Sequence, residues 1–354
     1  MSRRAHPRAR AATLVGLGLI AAAAALGAVL SSAGGIGDVL AAIERVSPGW
    51  TLAAAAAMPI GYALLALHLR RLTSDRISIA QAARADLLLF GLGNLLPGAP
   101  APGALLAARA LHRDGLSARR TKLALMFTMW FNVRTLIGLG ALAFLVVSAR
   151  GHPGVRGSGL LWLVAGGVIF ALAGSAVLAA RGGMARRGAF LFAALRVDRP
   201  RPSAHATRAA AEIWHAEAKA TVGTWRNRVL LVALAAGSWL ADASCLWLAL
   251  AAAGERLDPD VVLLAYVAGI VVSALPLLPG GIGAVEAAIP ALLHQFGASL
   301  DAALAGTLVY RGISMLLPAA AGALLLVTAA AGRGRSRRRR LSAAADRRRA
   351  SRAR

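Results

Sequence analysis

The stretch 277-LLPGGIGAVEAAIPALLHQFGAS-299 places a proline and two adjacent glycines inside an otherwise apolar run. Proline removes a backbone donor and glycine relaxes the chain, so a helix entering here is expected to break at Pro276 and Pro279 and to restart as a returning helix after the GGIG turn. A second stretch, 95-LLPGAPAPGALLAARALHRDGLS-117, aligns with it without a gap. Leu95, Leu96, Pro97, Gly98, Leu111, His112, Gly115 and Ser117 recur as Leu277, Leu278, Pro279, Gly280, Leu293, His294, Gly297 and Ser299. The chain carries one broken element twice, with Pro97 and Gly98 marking the break in the first copy.

The surroundings of these elements are apolar throughout. Of 354 residues 58% are hydrophobic and 16% charged, with a mean hydropathy of +0.64, which lies outside the range of soluble domains and predicts a polytopic membrane protein. Apolar runs occupy residues 11–30, 51–69, 123–148, 159–180, 229–252, 261–278 and 300–331. Most reach the roughly 20 residues that a bilayer core requires of a helix. They are rich in Ala, Leu and Val and show no strand-like alternation, so the expected fold is all-α and not a barrel.

The net charge of +25 sits in tails and loops beside the spans, with eleven arginines in residues 333–354 opposed only by Asp346. Such a run reads as a disordered cytoplasmic tail facing anionic headgroups. No nucleic-acid fold or interleaved aromatics accompany it, so no nucleic-acid partner is expected. Cys245 is the only cysteine and allows no intramolecular disulfide. The basic N-terminus and residues 11–30 superficially resemble a secretory signal, but the run is longer than a signal core and is read as a retained first span.

Basic residues then orient the chain by the positive-inside rule. Arg3, Arg4, Arg8 and Arg10 hold the N-terminus in the cytoplasm, as do Arg70, Arg71, Arg76 and Arg84 for the second connection. Arg109, Arg113, Arg119, Arg120 and Lys122 return the far end of the first broken element to that side, and residues 181–228 are also internal. The acidic residues 253–260 belong outside. The expected architecture is six full spans plus two re-entrant hairpins in an inverted repeat, with both termini cytoplasmic and the protein multi-pass in the plasma membrane. Its parts are a basic tail (1–10), a transmembrane domain (11–331, with half-repeats at about 11–149 and 159–331) and the arginine tail (332–354). The alternative for each broken element is a short surface turn between two tilted complete helices, and both versions give the same loop sidedness.

Ionisable residues inside spans are costly and point to function. The candidates are Arg134, Asp242, Glu286 and Arg311, with Asp86 nearer an interface. Glu286 follows GGIG, so it either caps the returning helix or acts as a ligand. Free N–H groups around Gly280, Gly281 and Gly283 would suit an anion such as a lipid phosphate. Arg311 needs a partner: Glu286 or Asp242 in a structural pair, or a phosphate gripped bidentately. Arg134 admits the same two readings. His112 and His294 are expected to pack near hairpin ends, and Trp214, Ala218, Val222 and Trp225 are spaced as an amphipathic helix on the inner leaflet. Glu212 and His215 stand in an E-x-x-H spacing, but a metal site would need a second such pair. No P-loop, H-E-x-x-H or G-x-S-x-G is present, and no metal, cofactor or catalytic residue is expected.

The run Pro276 to Gly283, Glu286, Gly297, and Arg311 ahead of Pro318 resembles the signature of the lysylphosphatidylglycerol synthase transmembrane region, also called the UPF0104 or flippase-like family. The first-half element departs from it, showing GALLAAR where related proteins commonly carry an acidic residue. The resemblance implies movement of phospholipids, notably aminoacylated phosphatidylglycerol, between leaflets. The large soluble catalytic domain of two-part synthases has no counterpart here, so lipid synthesis by this chain is not expected. The readings are a flippase binding anionic headgroups, a membrane-embedded lipid-modifying enzyme, and a non-transporting partner of a separate lipid synthase; a homo-oligomer is compatible with each.

Overall fold

A computed structural model of the chain describes residues 37, 41, 43–95, 101–152, 221–273, 281–325 and 327–328. The expected spans at 11–30 and 159–180, most of the loop at 181–228, the arginine tail, and Pro97, Gly98, Pro276, Pro279 and Gly280 lie outside these residues. So do Glu212 and His215.

The protein is an all-α membrane protein, and no strand forms among the described residues. Its elements are α1 (Pro48–Leu72), α2 (Ile79–Asp86), α3 (Ala101–Arg113), α4 (Ala118–Ala149), α5 (Trp225–Ala252), α6 (Pro259–Ser273), α7 (Ala284–Gln295) and α8, which runs from Leu300 to Leu325. Four of them, α1, α4, α5 and α8, are long and apolar enough to cross a bilayer. They display large apolar side chains outward, among them Leu52, Ile60, Leu142, Leu145, Leu316 and Leu324, a surface suited to lipid and not to water.

Local chemistry sets the ends. Ser78 accepts from the Gln81 backbone while Gln81 accepts from Ser78, closing a capping box at α2. Ser117 caps α4 and Thr224 caps α5. At the second cap Gly223 takes φ +64° and Trp225 opens α5, while Trp214 and Ala218 of the expected amphipathic helix lie outside the described residues.

The two broken elements are built alike. Gly115 and Gly297 adopt φ +90° and +96° after their helices, a left-handed turn that glycine enters at little cost. His112 Nδ1 donates to the Leu116 carbonyl and His294 Nδ1 to the Ala298 carbonyl, both at 2.8 Å. These histidines close the turn that ends each hairpin. In the first hairpin, Arg84 and Asp114 pair across the base. In the second, Ser299 N donates to Glu255 Oε1 at 2.8 Å, and a Cβ on Gly281 would lie 2.7 Å from the Ser273 Cα. The chain therefore returns beside the point where it left.

The hairpins enter from opposite ends of the bundle. Helix α4, 32 residues long and so about 48 Å, begins directly after the first hairpin. It ends where Arg150 reaches Asp260 at 3.2 Å, at the start of the second. Helices α6 and α7 have 15 and 12 residues, or about 22 and 18 Å, against roughly 30 Å of hydrocarbon.

Helices α1 and α5 form the antiparallel spine. Ser47 N donates to the Ala252 carbonyl at 2.9 Å at one end, and Gly61 and Gly237 open room for Ser238 and Leu64 along the seam. The first hairpin packs on α8 and the second on α4. Gly140 of α4 faces Val267 of α6, and Gly322 of α8 faces the Leu87 carbonyl. The offset that aligns Leu95 with Leu277 also carries Gly140 onto Gly322. One departure from this correspondence is helical: π-turns widen the first hairpin at Leu87–Leu92 and α8 at Gly312–Leu316. The second precedes Pro318, which lacks a donor and crowds the Ser314 carbonyl, so a widened turn relieves the clash.

Candidate functional site

The site begins where the second hairpin turns back. Gly283 has φ +84°, which orients its N–H along the axis of α7. Glu286, three residues on, bends back so that Oε2 accepts from Gly283 N at 2.6 Å. Its other oxygen, Oε1, accepts from Arg311 Nε at 2.8 Å. The side chains are 9% and 10% exposed. Glu286 thus caps the returning helix with one oxygen and pairs with Arg311 through the other. In this conformation the Gly283 N–H serves the glutamate.

Arg311 sits at the join of α8's α-helical part and its π-turn, and Asp242 of α5 lies within its electrostatic range. Asp242 Oδ2 accepts from Tyr266 OH at 2.7 Å and more weakly from Tyr310 OH at 3.4 Å. The two rings meet edge to face at 6.3 Å, and Trp239 closes on Tyr266 at 6.3 Å. Tyr62, from α1, also interacts electrostatically with Asp242. Two of the chain's three tyrosines thus hydrogen-bond one carboxyl.

Of the residues singled out by sequence, the structure joins Glu286, Arg311, Asp242, Gly281 and Gly283 at the restart of the second hairpin. Arg134 is placed differently, its guanidinium carbon 4.8 Å from the Trp130 ring centroid on its own helix, a cation–π contact. Asp86, expected nearer an interface, is fully buried. The tyrosines were not singled out, although tyrosine in the middle of a span, away from the interfacial belts, is itself a signal.

The arrangement suits recognition of an ionic headgroup. A guanidinium carries five donors in a fixed fork that matches phosphate, and two carboxyls beside it can receive a cation or a proton. Elsewhere, His152, Asp258 and Asp260 bring ligand atoms within 4.8 Å of one another, but Arg150 already reaches both carboxylates, at 3.8 and 3.2 Å.

A family model described as the lysylphosphatidylglycerol synthase TM region matches residues 13–322. No curated protein matches the chain.

Proposed function

Because this chain belongs to the family of the lysylphosphatidylglycerol synthase transmembrane region, we propose that it moves an anionic or aminoacylated phospholipid between leaflets of the plasma membrane. The observation that carries this reading is the buried Glu286–Arg311 pair at a glycine-broken helix start. A pair of this kind is an expensive way to hold a bundle together, since apolar residues of similar volume often do as well. It is well suited to exchange. A headgroup phosphate takes the guanidinium of Arg311 in place of Glu286, and the released carboxylate, with Asp242, receives an aminoacyl ammonium or a proton.

In this reading the hairpins are re-entrant and form an inverted repeat. Non-helical backbone at membrane depth is tolerated where it lines a watery cavity, and broken helices from inverted repeats build transporter sites near the midplane. The short arms of the second hairpin and the entry of the two from opposite ends support it. Both termini are cytoplasmic, and the chain acts as a carrier and not as an enzyme.

The test is translocation of fluorescent phosphatidylglycerol and of its lysyl derivative in proteoliposomes, against protein-free vesicles and a phosphatidylcholine control. Faster movement of the first two lipids is expected. Equal rates with and without protein would favour a docking partner for a separate synthase.

A further inference from the structure

Among the described residues, Asp86 is the carboxyl for which both oxygens are buried without a partner. It closes α2 and is 0% exposed, and no described charged side chain bonds to it. The titratable groups on the packed elements do not bond to it. His68 of α1 is buried with neither ring nitrogen hydrogen-bonded and lies edge-on to the Phe131 ring at 5.6 Å, Arg84 pairs with Asp114, and His112 bonds the Leu116 carbonyl. Arg109 and Arg113 of α3 are exposed, and α8 carries no charged residue from Gly312 to Leu325. Tyr62 of α1 lies within electrostatic range of both Asp86 and Asp242 but hydrogen-bonds to neither oxygen of Asp86.

An ionised carboxylate with neither donor nor counter-ion is far more costly to bury than the neutral acid. In this conformation Asp86 therefore carries a proton. An alkali or divalent ion would need several oxygen ligands, and Asp86 has none bonded around it. Asp86 is followed at once by the π-turn Leu87–Leu92, a form frequent at functional sites. That turn meets α8 through backbone: a Cβ on Gly91 would lie 2.7 Å from the Pro318 carbonyl oxygen, and one on Gly322 3.0 Å from that of Leu87. The corresponding arm of the second hairpin, α6, is described as α-helix throughout.

We propose that Asp86 is the coupling-proton site of the lipid carrier whose headgroup site is Asp242 and the Glu286–Arg311 pair. This rests on the transport reading and supplies its energy source, a transmembrane proton gradient. When the arm shifts along α8, an Asp86 oxygen takes a proton from water on one side. Reclosure buries the neutral acid, and the opposite opening returns the proton to water on the other side. No bond other than O–H is made or broken.

Two measurements on Asp86→Asn, which keeps the shape of the neutral acid, test this. In nanodiscs at neutral pH, the infrared carbonyl band of a protonated carboxyl is expected in the wild type and lost in D86N. In proteoliposomes under an imposed pH gradient, the wild type is expected to shift the leaflet ratio of a trace fluorescent phosphatidylglycerol. The limit is about tenfold per pH unit at one proton per lipid, and D86N is expected to show no gradient response. A band unchanged in D86N, or a D86N that follows the gradient like the wild type, overturns the proposal. A wild type that moves no lipid under any gradient while its band depends on Asp86 removes the transport reading and keeps the buried acid, so the two failures are told apart.

Discussion

Replacing Arg311 and Glu286 one at a time should be unequal, and the inequality follows from their partners. In Arg311→Met, Glu286 remains as a buried anion held by the Gly283 N–H, and an uncompensated buried charge costs about 3–5 kcal/mol. In Glu286→Gln the amide oxygen can still accept from Gly283 N, and Arg311 keeps Asp242 within electrostatic range. The loss is then nearer that of one charge-assisted hydrogen bond, about 2 kcal/mol. The double variant Glu286→Gln with Arg311→Met removes both members of the pair, leaves Asp242 on its tyrosine hydroxyls, and should recover most of the stability. The assay is thermal unfolding of the purified variants in one detergent, followed by loss of monodisperse protein. The expected order is wild type, double variant, Glu286→Gln, Arg311→Met. An Arg311→Met protein as stable as the wild type, or a double variant no more stable than Arg311→Met, would refute the reasoning.

Gly281→Ala should cost about 2 kcal/mol or more, because φ +66° is strained for a side chain and the new Cβ meets the Ser273 backbone at 2.7 Å; thermal unfolding reads it directly. Tyr266→Phe should destabilise by about 1–3 kcal/mol and Tyr310→Phe by less, following their 2.7 and 3.4 Å bonds to Asp242. The reverse order would mean that Asp242 is held differently. For topology, an impermeant thiol reagent should fail to reach a cysteine introduced at Ser203 from outside intact cells lacking Cys245, whereas residues 253–260 should be labelled.

Much of this architecture was legible because hydropathy is a one-dimensional property. The long helices fall on the apolar runs, and the LLPG alignment finds two elements with the same closing turn. The charges inside spans also stood out, since each is conspicuous against Ala and Leu. What could not be read is which partner each charge meets. Glu286 and Arg311 are separated by 25 positions, and tyrosines from α6 and α8 meet the α5 aspartate only once the helices cross. Asp86, expected nearer an interface, closes the polar segment IAQAARAD yet is fully buried. The π-turns carry no periodic signal, because they depend on backbone contacts such as that between Gly91 and Pro318.

The most direct test of the account is lipid translocation by the double variant Glu286→Gln with Arg311→Met, measured beside the wild type in proteoliposomes at equal protein content. The pair is proposed to handle the headgroup, so the wild type should accelerate movement of fluorescent phosphatidylglycerol while the stable double variant should match protein-free vesicles. A double variant that is folded and as active as the wild type would contradict the assignment of the site.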